Sequence, residues 1–127
     1  MNGAQTVIEW RFDSPDILRA WHANSQVSEV RFEQGAMHFR TTGSDPILVY
    51  LPPLDLPALP NQAIEIELRA SAPGTAELFW SNTTESPYGG FLPEKRTDFS
   101  VRGDGNWHTY PVFPFWQKEG RIVRLRF

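Results

Sequence analysis

Ala63-Ile64-Glu65-Ile66-Glu67-Leu68-Arg69-Ala70 is the stretch whose reading decides the fold. Ile64, Ile66 and Leu68 alternate with Glu65, Glu67 and Arg69. Side chains of period two lie on opposite faces of a strand. One face therefore meets an apolar core and the other meets water, as in antiparallel sheets. Downstream, Ser71 to Gly74 turns the chain and Thr75 to Trp80 returns. Ala76, Leu78 and Trp80 share one face, Glu77 and Phe79 the other. Phe79 is out of place there: either the long loop that follows covers it or it stands in an exposed patch. Upstream, Pro52 to Asn61 carries four prolines and reads as an extended crossing or edge segment.

The same pattern extends to both ends. Lys95–Val101, Trp107–Phe113 and Arg121–Phe127 read as strands, separated by the turn Arg102-Gly103-Asp104-Gly105-Asn106 and the loop Pro114–Gly120. Toward the N-terminus, Val7–Phe12 alternates through Ile8, Trp10 and Phe12. Ser14 as N-cap and Pro15 at the first helical position predict a short helix within residues 15–22, with Leu18 and Trp21 facing inward. Val27–Glu33 and Ala36–Thr41 flank Gln34-Gly35 as a hairpin, with Val30 and Phe32 inward, and Ile47–Leu51 is a short apolar strand. The sum is about nine strands and at most one short helix, an all-β, two-sheet antiparallel β-sandwich. With no internal repeat and no linker, residues 1–127 read as a single domain. The strand pattern runs to Phe127 itself, so we expect a domain excised from a longer protein.

Composition agrees. Aromatic residues reach 13%, and 11 Pro with 9 Gly favour strands and turns over helices. The absence of Cys removes disulfides and thiolate metal sites. A net charge of −3 lacks the basic footprint of a nucleic-acid binder. No apolar run has the length of a membrane span, and Met1–Val7 does not read as a signal peptide.

From Ile64 onward the order of elements is suggestive. A strand ends Glu77-Leu78-Phe79-Trp80 and another ends Phe99-Ser100-Val101. Then come Asp104-Gly105-Asn106-Trp107-His108-Thr109-Tyr110-Pro111-Val112, Trp116 and Ile122-Val123-Arg124-Leu125-Arg126. This resembles the jelly-roll β-sandwich domains of the galactose-binding-like and carbohydrate-binding-module type. The resemblance implies an accessory domain of a bacterial extracellular or cell-envelope protein, exported as part of a larger polypeptide. It also implies that Trp107 is structural. Such domains often hold a structural calcium, but this chain has no compact acidic cluster to match, so no cofactor is expected.

Catalytic constellations are missing from the pattern. Glu65 and Glu67 share an outward strand face rather than a cleft. Glu94, Asp98 and Asp104 sit in or near loops without a spacing that forces them together. His22, His38 and His108 form no metal-binding pair. Arg102-Gly103-Asp104 is ordinary turn chemistry. We expect no enzyme; a small hydrolase is the remote alternative.

Binding is better supported. Flat aromatic faces suit the C–H faces of sugars, and polar groups in the plane suit their hydroxyls. The loop Ser81–Glu94 mixes both, and the loop Phe113–Lys118 is dense in rings. The candidate ligand-binding residues are Trp80, Asn82, Tyr88, Phe91, Glu94, Arg96 and Trp116. Trp80 and Trp116 have core positions as their ordinary reading, whereas Tyr88 and Phe91 are expected to be exposed, because no strand pattern claims them. Arg31, His38, Arg40, Glu65, Glu67 and Arg69 all point outward, forming either a salt-bridged surface or a charged groove. The expected function is a non-catalytic carbohydrate-binding module. The alternative is a structural or protein-interaction domain that packs against neighbouring domains of its parent. The expected partners are accordingly a glycan or those domains, with no nucleic acid and no membrane span.

Overall fold

Backbone hydrogen bonding organises the chain into short antiparallel ladders. A computed structural model describes residues 8–12, 16–85 and 90–127. The fold is all-β, with eleven strands among the described residues and one four-residue helical turn. The chain divides into two compact units, Met1–Pro52 and Pro53–Phe127.

The first unit holds α1 (Ile17–Ala20), β1 (Trp21–Ala23), β2 (Val27–Glu33), β3 (Ala36–Thr41) and β4 (Leu48–Tyr50). A helical turn falls within the expected segment but ends at Ala20, and Trp21 and His22, expected to continue it, belong to β1 instead, while Ser14, Pro15 and the side chain of Leu18 lie outside the described residues. Trp21 is buried at the start of β1, which pairs with β4 through Trp21↔Tyr50, His22↔Val49 and Ala23↔Leu48. Asn24 holds the connection: its Oδ1 accepts from the backbone N–H groups of Gln26 and Ile47, both at 3.1 Å. The expected first strand is corrected. Val7 lies outside the described residues, and residues 8–12 join no ladder. Trp10 instead packs edge-on against Trp21 at 5.8 Å and Tyr50 at 5.1 Å. Alternation gives a segment the right faces, but it becomes a strand only with a hydrogen-bonding partner beside it.

β2 and β3 form the expected hairpin. Gln34 (φ 53°) and Gly35 (φ 72°) both take positive φ, the turn whose twist matches that of its strands. A register shift between Ser28 and Arg31, with Glu29 at φ 55°, marks a bulge. The bulge breaks the simple alternation, so Val30 is exposed rather than inward. Arg31 pairs with Glu33 at 2.9 Å and Arg40 with Glu29 at 3.1 Å. Hydrogen bonding and attraction from Arg31 hold the Glu33 carboxyl below its ordinary pKa.

The second unit holds β5 (Leu56–Pro57), β6 (Ile64–Arg69), β7 (Gly74–Ser81), β8 (Arg96–Val101), β9 (Trp107–Val112), β10 (Arg121–Ile122) and β11 (Arg124–Arg126). β7 lies between β11 and β8, β6 pairs with β9, and β5 pairs with β10. The Pro-rich crossing thus contributes a two-residue strand. The expected last strand is interrupted at Val123, whose N–H donates to the Ser81 carbonyl at 2.9 Å while its carbonyl accepts from Leu54 at 3.1 Å. Leu78, Trp80, Val112, Ile122 and Leu125 are the buried centre. Burying one such aliphatic side chain contributes about 2 kcal/mol.

Trp107 is a second correction. It is 48% exposed, with the Arg69 guanidinium 5.2 Å from its ring centroid. Val112 is the buried residue of β9, so Trp107, five positions earlier, must face outward. Register then sets it opposite Arg69 on the outward row of β6.

Candidate functional site

Phe79 and Trp80 are adjacent on β7, and a strand must send them to opposite faces. Trp80 goes to the core. It is 1% exposed and packs edge-on against Phe115 at 5.0 Å and Trp116 at 6.0 Å. Trp116 is buried as well, and its Nε1–H donates to Oε1 of Gln62 at 2.7 Å. The same Oε1 accepts from the Leu59 backbone at 2.9 Å. Neither indole offers an open face, which corrects Trp80 and Trp116 as ligand platforms. The phase shared with Ala76 and Leu78 claims Trp80 for the core, and the Gln62 bond draws Trp116 inward.

Phe79 lies on the polar face. Cross-strand register sets Arg126 of β11 on one side of it and Arg96 of β8 on the other. The three side chains form one row, because directly opposed residues point the same way. The Arg126 guanidinium stands 4.1 Å from the Phe79 ring centroid and that of Arg96 stands 5.9 Å away. Both are within reach of a cation–π interaction.

The long loop completes the site. Phe91, expected to be exposed, is 5% exposed and sits beneath Arg124 at 4.8 Å and Arg126 at 5.2 Å. The physical reason is that the loop folds back on the end of β7. The buried Ser81 hydroxyl donates to the Thr83 carbonyl at 2.7 Å and accepts from the Thr83 N–H at 3.1 Å. Gly90 (φ 94°) packs on the same two groups, and a Cβ there would collide with the Thr83 carbonyl and the Ser81 hydroxyl. At the loop exit the Lys95 N–H donates to the Leu92 carbonyl at 3.0 Å, and Lys95 forms a 2.7 Å ion pair with Glu119.

Phe79, Phe91, Pro93, Arg96 and Arg126 line a cleft of about 270 Å³. Of the seven candidates, it brings together Phe91 and Arg96. Asn82 is exposed and reaches the Glu119 carbonyl at 3.5 Å, Glu94 is exposed in the turn before β8, and Tyr88 lies outside the described residues. Arg126, Arg124 and Pro93 were missed. The available signal was the out-of-phase Phe79 together with Arg124 and Arg126 flanking Leu125 in the closing segment.

The remaining charged groups are dispersed. Asp98 binds Nε of Arg96 at 2.9 Å, and Asp104 bonds His108 at 2.9 Å. A backbone hydrogen bond from Asn106, followed by the bond from His108, holds the Asp104 carboxyl below its ordinary pKa. Arg31, His38 and Arg40 belong to the β2–β3 ladder, whereas Glu65, Glu67 and Arg69 belong to the β6–β9 ladder. Among the described residues no three His, Cys, Asp or Glu side chains gather as a metal site, and no helix is long and apolar enough to cross a membrane. No protein-family model matches the chain, and no match was found among curated proteins or solved structures.

Proposed function

We propose that this chain is a non-catalytic glycan-binding module. We read its fold as a jelly-roll β-sandwich of the galactose-binding-like type, serving as an accessory domain of a larger bacterial, exported or cell-envelope protein. The observation that carries the binding reading is the cleft of Phe79, Phe91, Pro93, Arg96 and Arg126. It sets the guanidinium N–H donors of Arg96 and Arg126 against an apolar wall of Phe79, Phe91 and Pro93, and such donors suit the oxygens of a sugar. Phe91 and Arg96 are the contacts drawn from the candidate set. Asn82 and Glu94 are the remaining contacts among the described residues, and Trp80 and Trp116 support the β7 strand from behind. A volume of about 270 Å³ admits one sugar unit. Contact on that scale gives an affinity of ~10⁻³ to 10⁻⁵ M, suited to a module that tethers.

Affinity electrophoresis through gels containing neutral and acidic polysaccharides tests the reading. Retardation in at least one polysaccharide, weakened by Arg96→Ala, is expected. Unchanged mobility in every gel overturns it. Loss of retardation on Trp107→Ala but not on Arg96→Ala would move the site to the β6–β9 face.

A protein-interaction role is the second reading. It is favoured by Phe113 and Phe115, which are 65% and 59% exposed on either side of buried Pro114. Association in sedimentation velocity that disappears in Phe113→Ser with Phe115→Ser would support it. Monomeric behaviour, with no affinity for the flanking domains of the parent protein, would refute it.

A further inference from the structure

The rings of the cleft are not bare. Guanidinium groups lie over both Phe79 and Phe91, at 4.1 to 5.9 Å from their centroids. A pyranose cannot stack on a ring face that an arginine already covers. What the site presents instead is a pair of guanidinium forks set by register on either side of one ring. An arginine resting on an aromatic face keeps its planar donors ordered while losing little further freedom.

The charge of the surface follows the same logic. Arg124, Arg126 and Arg96 share the polar face of β11, β7 and β8 with two carboxylates, Glu77 and Asp98, which pair across β7 and β8. Asp98 engages Nε of Arg96. A guanidinium has five N–H donors, so four others belong to the terminal nitrogens of that side chain. The planar fork matches a carboxylate or sulfate better than it matches a hydroxyl.

We propose that the cleft selects an acidic sugar, with the oxyanion of a uronate or sulfated residue bound by Arg96 and Arg126 above Phe79. This rests on the glycan-binding reading and assigns it a ligand class. At about 270 Å³ the cleft has room for one charged ring rather than a chain.

The test is calorimetric titration of the whole chain with four probes: trigalacturonate, its methyl ester, a sulfated galactose disaccharide and triglutamate. Trigalacturonate or the sulfated disaccharide is expected to bind at least tenfold more tightly than the methyl ester, and the tighter of the two identifies the oxyanion. Arg96→Gln and Arg126→Gln should each weaken that binding roughly ten- to hundredfold, the scale of a charge-assisted hydrogen bond. Arg96→Lys should fall in between, and Arg40→Gln, on the β2–β3 hairpin, should change nothing. Thermal melts of each variant separate lost binding from lost folding. Equal affinity for the methyl ester overturns the acidic assignment while the glycan reading stands. Triglutamate binding as tightly as trigalacturonate overturns it in favour of an acidic peptide. Failure of every sugar to bind overturns both.

Discussion

Replacing Phe79 by Leu should cost stability through lost arginine contacts rather than lost burial. The ring is buried although it sits on the polar face of β7, and the Arg126 and Arg96 guanidiniums stand 4.1 and 5.9 Å from its centroid. Phe79→Ala removes both the apolar surface and the aromatic face, at a cost of about 3 kcal/mol, the low end for a buried phenylalanine because one side is polar. Phe79→Leu keeps most of the apolar burial and removes only the π face. Two cation–π contacts at ~0.5 kcal/mol each, plus a small packing mismatch, give a loss of about 1 to 1.5 kcal/mol. Urea unfolding followed by circular dichroism resolves both values, since each shifts the midpoint at constant slope. If the Leu variant stays within about 0.3 kcal/mol of the parent while the Ala variant loses the full amount, burial alone explains the site. The idea of a ring that orients two arginines would then be wrong.

Gly90→Ala should destabilise the loop by about 1 to 2 kcal/mol, because a side chain is strained at φ 94° and collides with Thr83 and Ser81. Faster amide exchange confined to residues 82–85 and 90–95 would report it, and unchanged exchange would refute the fold-back. Trp116→Phe should cost about 1 kcal/mol through loss of the indole bond to Gln62, read from the urea midpoint. Gln34→Asn should raise stability by a few tenths of a kcal/mol, since Asn takes positive φ more readily in this turn. The Asp104 carboxyl, followed by NMR, should titrate below its ordinary value of 3.8. A depressed folded-state pKa stabilises above the unfolded value and loses that contribution as pH falls through the folded one. Asp104→Asn should therefore flatten the acid limb of the stability curve below about pH 4.

Some of this was legible along the chain. Ile64 to Arg69 could be read as a strand because six residues suffice to display a period of two, and its ends agree to within a residue. The hairpin around Gln34-Gly35 was legible because turn chemistry is local. Even the anomaly of Phe79 was visible, since an aromatic beside Glu77 breaks a local rule. Residues 8–12 alternate just as well and form no ladder, because a pattern records faces but not partners.

The cleft required contacts that no local pattern carries. Phe79 meets Arg126 across forty-seven positions, and only strand register decides that those two residues and Arg96 stand in one row. Phe91 was expected in solvent because its loop has no period, yet Gly90 and Ser81 turn it under the arginines. Trp107 was expected to be structural and faces water, because the phase of β9 is anchored by Val112 at its far end. Local sequence therefore determined the two faces of the alternating segments and the turn at Gln34-Gly35, since those depend on neighbours a few residues away, whereas a partner strand decided which of those segments became strands. The identity of the groups that meet at the site was decided only by tertiary pairing, because cross-strand register is a property of two distant segments at once.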